Sequence, residues 1–377
     1  MIFIGDNKNL KIEPYEPCPV HPENKFKFCC YKKAKEEPWN KLMDSRFTDG
    51  RVNFITQSHW ESTDYHVCFG FDKNNCSGPI KSAHSIQNNR ILNRISVGNH
   101  VYRFKANAKL DGVSAVLDKI SKNKASTFFG FCDYHDSKIF GPIELEEYTG
   151  KDIQNFLFAF RSFSLEYHKK TRQLQNVTNI FEKQPRTMLN PEVVYLYKIA
   201  QLDVRDYEKD YEVLKSNYLD GRFNCFNTIF RQIDFEVPFA ACATFTVEND
   251  LFGNRLNDIY NTSSDIKIAT LHISVYPIDG KSNIIISHHK NDEVVYSRYF
   301  DQLQSLDQEH LLNYLNHLLI FSTENIYLSP SFIENLTEDQ RESLEKSFAA
   351  SFQPLQAIEL IGEGKYFDFN LFVPHNT

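Results

Sequence analysis

Six of the eight cysteines fall within the first 132 residues, and histidines stand among them at ligand spacing: Cys18, His21, Cys29 and Cys30, then Cys68, Cys76, His84, Cys132 and His135. Thiolate and imidazole are the ligands zinc prefers, and four of them complete a tetrahedron. The pattern therefore predicts two Zn²⁺ ions, one per set. Adjacent Cys29 and Cys30 beside a C-x-x-H pair make poor disulfide partners but good metal ligands, which points to a reducing compartment and a cytoplasmic location. Cys225 and Cys242 stand alone in apolar surroundings and read as buried core thiols.

At 377 residues the chain exceeds what one hydrophobic core usually supports, so two or three domains are expected. Nothing approaches the ~20 consecutive apolar residues of a membrane span, and the opening MIFIGDNKNLK is too short and polar for a signal peptide, so no membrane partner is expected. No G-x-x-x-x-G-K-S/T, G-x-S-x-G or H-E-x-x-H occurs, which removes motif support for P-loop, α/β-hydrolase and zincin chemistry. Charge is uneven. Residues 1–140 carry 21 Lys+Arg against 15 Asp+Glu, a balance of +6, while the remainder carries 21 against 34, or −13. A basic metal-binding head on an acidic body fits a chain whose head meets DNA or RNA, and equally one whose head docks on its own body.

The expected class is α+β, in four consecutive parts: a zinc hook over 1–40, a second zinc module over 41–148, a helical connector over 149–220, and an α+β domain with an antiparallel sheet over 221–377. The runs RVNFITQ and HVCFGF read as β-like. In 151–175, Ile153, Phe156, Leu157, Phe160, Leu165 and Tyr167 mark the apolar face of a helix, which the Glu144, Glu146, Glu147 cluster is expected to open. A second helix is expected over 192–219. Beyond residue 235, FEVPFAACATFTV, IKIATLHISVYPI, NIIISHH and VVYSRYF read as strands, with a hairpin turn at Asp279-Gly280, followed by helices near 306–321 and 337–349.

The segment from Cys18 to Cys30, with Pro19, the Lys-aromatic-Lys run and the closing ligand pair, resembles the SEC-C motif, a small zinc hook attached to many bacterial proteins. Val20 stands where that motif has its second cysteine, and His21 follows one position later; the longer reach of histidine still lets C-x-x-H close a tetrahedron. Four protein ligands leave no open position, so the hook implied is a docking element, not a catalyst. Lys25, Lys27, Lys32, Lys33 and Lys35, alternating with Phe26, Phe28 and Tyr31, supply cations and stacking faces for nucleic acid or a protein partner.

The second set resembles the HNH nuclease superfamily: a first cysteine pair, a histidine on the strand Ile80-Lys81-Ser82-Ala83-His84, and the late pair Cys132 and His135 at a helix start, as in a treble clef. It also resembles a group of bacterial zinc proteins in Ala83-His84-Ser85-Ile86-Gln87 and Phe131-Cys132-Asp133-Tyr134-His135-Asp136. The HNH resemblance implies a structural zinc on Cys68, Cys76, Cys132 and His135, with His84 as general base and Asp136 holding a Mg²⁺. His84 can equally be read as a zinc ligand replacing Cys68 or Cys76, or as a core histidine. Two functions follow as expectations: a zinc-binding, HNH-like metal-dependent nuclease, by analogy a defence or toxin effector, or a non-enzymatic adaptor or sensor that grips a partner protein.

Overall fold

The computed structural model describes residues 10–37, 48–261 and 265–375. Nine residues of the opening segment, and the boundary drawn at residue 40, lie outside them. In chain order the elements are α1 (Tyr31–Glu36), α2 (Asp49–Glu61), β1 (Ile80–His84), α3 (Asn93–Ile95), β2 (His100–Lys109), β3 (Gly112–Ser121), β4 (Thr127–Cys132), α4 (Asp133–Glu144), α5 (Asp152–Lys183), α6 (Pro191–Leu219), β5 (Phe226–Ile233), β6 (Phe239–Phe245), β7 (Leu271–Ile278), β8 (Lys281–His289), α7 (Glu293–Ser305), α8 (Gln308–Ser322), β9 (Ile326–Leu328), α9 (Pro330–Asn335), α10 (Glu338–Ala350) and α11 (Pro354–Gly362). The fold is mixed helix and sheet, and every strand pairing is antiparallel among the described residues.

The chain forms two compact units interleaved in sequence. One comprises Met1–Tyr65, Tyr167–Val213 and Asp258–Ile268; the other comprises His66–Glu166, Leu214–Asn257 and Ala269–Thr377. The division thus falls inside α5 and α6.

In the first unit the N-terminal hook is not free-standing. Ile12, Cys18, Phe26 and Cys30 form one buried cluster with Phe181 of α5, Met188, and Val194 and Tyr197 of α6. The backbone N–H of Arg186 donates to the Glu37 carboxylate at 2.8 Å, and its guanidinium donates to the Glu37 carbonyl at 2.6 Å. A segment too polar to make its own core borrows one from two helices.

The second unit is built on a seven-stranded sheet of order β3-β2-β9-β6-β7-β8-β5, with a separate two-stranded ribbon β1-β4. Alternation in β8 shows both faces covered: Ile284 and Ile286 join the large core with Tyr296, Leu303 and Leu319, while Ile285 joins Leu92, Ile95 and Tyr276 opposite. Asp279 (φ 48°) and Gly280 (φ 79°) occupy consecutive left-handed positions in the β7–β8 turn, the conformation a tight hairpin needs. The β2–β3 hairpin, inserted between β1 and β4, enters the sheet through the pairing of Tyr102 with Leu328. One sheet therefore draws strands from both 41–148 and 221–377.

Three strand expectations fail. RVNFITQ lies in α2, whose start Thr48 caps by accepting from the Arg51 N–H. VVYSRYF lies in α7, because Tyr296, Tyr299, Phe300 and Leu303 recur at helical spacing and are buried, while Val294 is 95% exposed. HVCFGF carries no strand either, although the Val67 and Phe69 N–H groups donate to the Phe129 and Gly130 carbonyls.

Candidate metal centres

The first centre is assembled by a closed loop. The Cys18 N–H donates to the Asn24 carbonyl at 2.7 Å, the Asn24 N–H to the His21 carbonyl at 2.9 Å, and the Phe26 N–H to the Glu16 carbonyl at 2.9 Å. A 3-10 turn, Phe26–Phe28, then delivers Cys29 and Cys30 at the start of α1. The four ligand atoms of Cys18, His21, Cys29 and Cys30 lie within 4.8 Å of one another. Cys29 Sγ is 3.3 Å and Cys30 Sγ 3.8 Å from His21 Nδ1, and the two sulfurs are 3.7 Å apart. A tetrahedron with metal–sulfur bonds of about 2.3 Å and metal–nitrogen bonds of about 2.0 Å has edges of roughly 3.8 and 3.6 Å, so the spacing suits a central ion. All eight cysteines are free.

The thiols also need a cation. Burial, with Cys18 and Cys29 beside it, pushes Cys30 up to about 12. Burial acts upward on Cys18 too, but the backbone N–H groups of His21 and Val20, together with hydrogen bonds from Cys30 and Cys29, hold that thiol below its ordinary value. One thiolate is thus supported by the loop; three together require a positive charge among them.

The second centre uses two loop cysteines and a strand–helix junction. Cys132 is the last residue of β4 and His135 sits in the first turn of α4, while β1 is held against β4 by the pairings Ile80 with Cys132 and His84 with Thr127. Around His135 Nδ1, Cys132 Sγ lies at 3.2 Å, Cys68 Sγ at 3.4 Å and Cys76 Sγ at 3.6 Å, again tetrahedral edges. The backbone N–H groups of Gly70 (3.4 Å) and Cys132 (3.5 Å) donate to Cys68 Sγ, as suits a sulfur carrying negative charge. Burial pushes Cys68 up to about 11. Cys132 also feels burial, yet hydrogen bonds from His135 and from the Ser77 backbone bring it down to about 6. The His135 ring rests on Gly70: a Cβ there would stand 2.6 Å from Nδ1.

His84 ends β1 outside the group of four, so the four ligand atoms that converge are those of Cys68, Cys76, Cys132 and His135. Its ring is partly buried and hydrogen-bonded to the Lys122 backbone, and Nε2 lies 3.4 Å from the Asn88 amide nitrogen. Burial lowers its pKa, with Arg161 acting in the same direction and Glu144 against it. Asp136, one residue past His135, is raised by burial and by Glu144 and Asp133, with Arg161 opposing. Both groups therefore sit in the field of one ion pair, Arg161 with Glu144. Arg161 is 4% exposed, lies over the Phe140 ring at 4.2 Å, and has no hydrogen-bond partner at Nε. Glu144 closes α4 and does not open α5, contrary to the sequence reading. Sequence reasoning also missed Arg161, whose signal was a lone cation inside the apolar run FLFAFRSFSL, and Gly70, which carried none.

The lysines divide. Lys27 Nζ donates to the Tyr15 hydroxyl at 3.0 Å, and Lys25 and Lys27 both stand over the Tyr15 ring, with Phe28 74% exposed beside them. Lys35 lies over Tyr31, and Lys32 pairs with Glu36 at 3.8 Å. Phe26, expected as a stacking face, is fully buried; Tyr15 takes that place.

The chain is thus a mixed helix-and-sheet protein with two Cys₃His clusters able to hold two metal ions. Neither models of protein families, nor curated proteins, nor solved structures yield a match to it. Among the described residues no helix is long and apolar enough to cross a membrane.

Proposed function

We propose that this is a cytoplasmic two-zinc protein whose second centre frames an HNH-like, metal-dependent nuclease site, and whose first centre is a SEC-C-like docking hook. The zinc reading rests on the donor set: three sulfurs and one imidazole nitrogen at tetrahedral spacing suit zinc better than hard cations, which take oxygen. Each ion would be structural, since its four positions are filled by protein.

The observation that carries the nuclease reading is His84, a histidine whose pKa is lowered by burial, at the end of the strand paired with the Cys132 strand and within the field of Arg161 and Glu144, which also acts on Asp136. Its bond to the Lys122 backbone would keep one ring nitrogen protonated, and Nε2, which accepts from the Asn88 amide at 3.4 Å, would exchange that amide for water to act as the base. Nε2 would take a proton from water; the water oxygen would form a bond to phosphorus as the P–O bond to the departing sugar breaks, and that alkoxide would be protonated by solvent. Burial, with Glu144 and Asp133, raises the proton affinity of Asp136, the carboxylate that would hold a hard cation such as Mg²⁺. Bound there, the cation would supply charge stabilisation for the leaving oxygen. Arg161 fixes Glu144 from within the core.

Lys25 and Lys27 with Tyr15 and Phe28 give the hook an exposed cation and ring patch suited to phosphates and bases, with Lys32, Lys33 and Lys35 adding charge along α1. The test is cleavage of plasmid DNA and of single-stranded DNA and RNA in Mg²⁺ or Mn²⁺. Wild type should cut at least one, and His84→Ala should lose about 10²–10⁴-fold in rate while retaining both zinc ions. A zinc-loaded wild type that cuts none would leave the adaptor reading in its place.

A further inference from the structure

A cavity of about 260 Å³ in the second unit is lined by residues of the α3 approach, the end of α4, the start of α5 and strands β5, β7 and β8. It is smaller than the ~300–1,000 Å³ typical of drug-sized ligands. Its walls have a particular chemistry. Phe158 and Tyr276 stack at 5.5 Å with planes 14° apart, and Tyr148 meets Phe158 edge-on at 5.7 Å, so flat aromatic surface lines one side.

Beside the rings runs a chain of polar side chains. Lys281 Nζ donates to Gln232 Oε1 at 3.1 Å, Gln232 Nε2 to Asn283 Oδ1 at 3.0 Å, and Asn283 Nδ2 to the Tyr276 hydroxyl at 3.3 Å. Each link uses one donor and leaves another. An amide NH₂ has two N–H groups, so Gln232 and Asn283 each retain one, and Tyr276, having accepted, retains its own O–H. Burial pushes that phenol up to about 12, so it stays a neutral donor. Arg90 adds a cation at the wall, with one guanidinium nitrogen bonded to the Glu146 carbonyl at 2.9 Å. Hydrogen-bond donors in one row beside flat rings match a planar heterocycle that carries ring carbonyls; Glu146, Glu147 and Asp279 also line the wall, so the base, not a phosphate, is the group the site selects.

We propose that this cavity is a nucleobase-binding site that prefers bases with a ring carbonyl, held by the Phe158 and Tyr276 rings and by the Tyr276, Asn283 and Gln232 donors. The site stands on the cavity alone: binding without cleavage would sink the nuclease reading and leave this one intact. The base could arrive on a free nucleotide or on a strand.

The test is isothermal titration calorimetry of the zinc-loaded full chain with guanosine, uridine and adenosine 5′-monophosphates, and with a mixed ten-nucleotide single-stranded DNA. Guanosine or uridine monophosphate should bind more tightly than the adenosine compound if the source is a free nucleotide; binding of the oligonucleotide alone would assign the site to a strand. Tyr276→Phe, which keeps the ring and removes the donor, should weaken binding about threefold to tenfold. Ile278→Trp, which fills the cavity from its rim, should abolish it, with circular dichroism melts confirming that both variants fold. No binding of any probe at millimolar concentration, tighter binding of adenosine monophosphate, or binding unchanged in both variants would overturn the proposal.

Discussion

Gly70→Ala isolates the second centre with a single methyl group. The ring that the new Cβ would meet, 2.6 Å away at Nδ1, belongs to His135, and Nδ1 is the atom that faces all three sulfurs. That ring cannot retreat without lengthening its bond to the metal, and the Gly70 backbone cannot retreat without moving the N–H that donates to Cys68 Sγ. Overpacking of this kind costs about 1–3 kcal/mol. If the whole cost falls on the metal-bound state, affinity at the second centre drops about 5- to 150-fold, comparable to removal of an outer-shell partner. The first centre should be unaffected, since its four ligands come from Cys18–Cys30. Gly141→Ala is the control: it lies in α4, in the same module, where a Cβ meets nothing within 4 Å. Competition against a chromogenic chelator should show one ion released from Gly70→Ala at chelator concentrations that leave wild type and Gly141→Ala loaded. Equal retention in all three would refute the role assigned to Gly70.

Cys29→Ser should release the first ion and lower the melting temperature, because Cys18, Cys30 and Phe26 share a buried cluster with Phe181 and Tyr197; unchanged melting of that variant would show the hook to be thermally uncoupled. His84 has a folded pKa below its ordinary 6.5, so it stays a neutral base as pH falls past that value, and the acid limb of the cleavage profile should have its midpoint below 6.5. The same shift adds stability that is complete above 6.5 and is lost as pH falls through the lower folded value; His84→Gln should flatten this dependence in urea melts across about pH 4.5–7.5. Replacing Lys25, Lys27 and Lys33 with Ala should reduce the salt slope of nucleic-acid binding by about one unit for each phosphate the variant no longer neutralises, and an unchanged slope would place nucleic acid on another surface.

The two Cys₃His clusters that converge in the fold were legible in the sequence because metal-ligating residue types at ligand spacing can be read without tertiary structure. The hairpin at Asp279-Gly280 and the helices α8 and α10 were legible because turn chemistry and capping are local, as in the capping box of Thr337 and Gln340. VVYSRYF misled because β-branched and aromatic residues favour strands in isolation, although Tyr296, Tyr299 and Phe300 already stood at helical spacing inside the run. The sharing of one sheet by 41–148 and 221–377 rests on the three-residue strand β9, which is too short to show periodicity. Arg161 and Glu144, separated by 17 positions, become a pair only when α4 and α5 pack together.

The proposal that each Cys₃His cluster holds one zinc ion underlies the nuclease and docking readings, and native mass spectrometry of the protein, purified without chelator, tests it most directly. The expected spectrum shows the apo mass increased by two zinc ions less the protons they displace, falling to one ion in Cys29→Ser and to one in Cys132→Ser. A wild-type mass with fewer than two zinc ions per chain, or one lowered by pairs of hydrogens as disulfides would require, would contradict it.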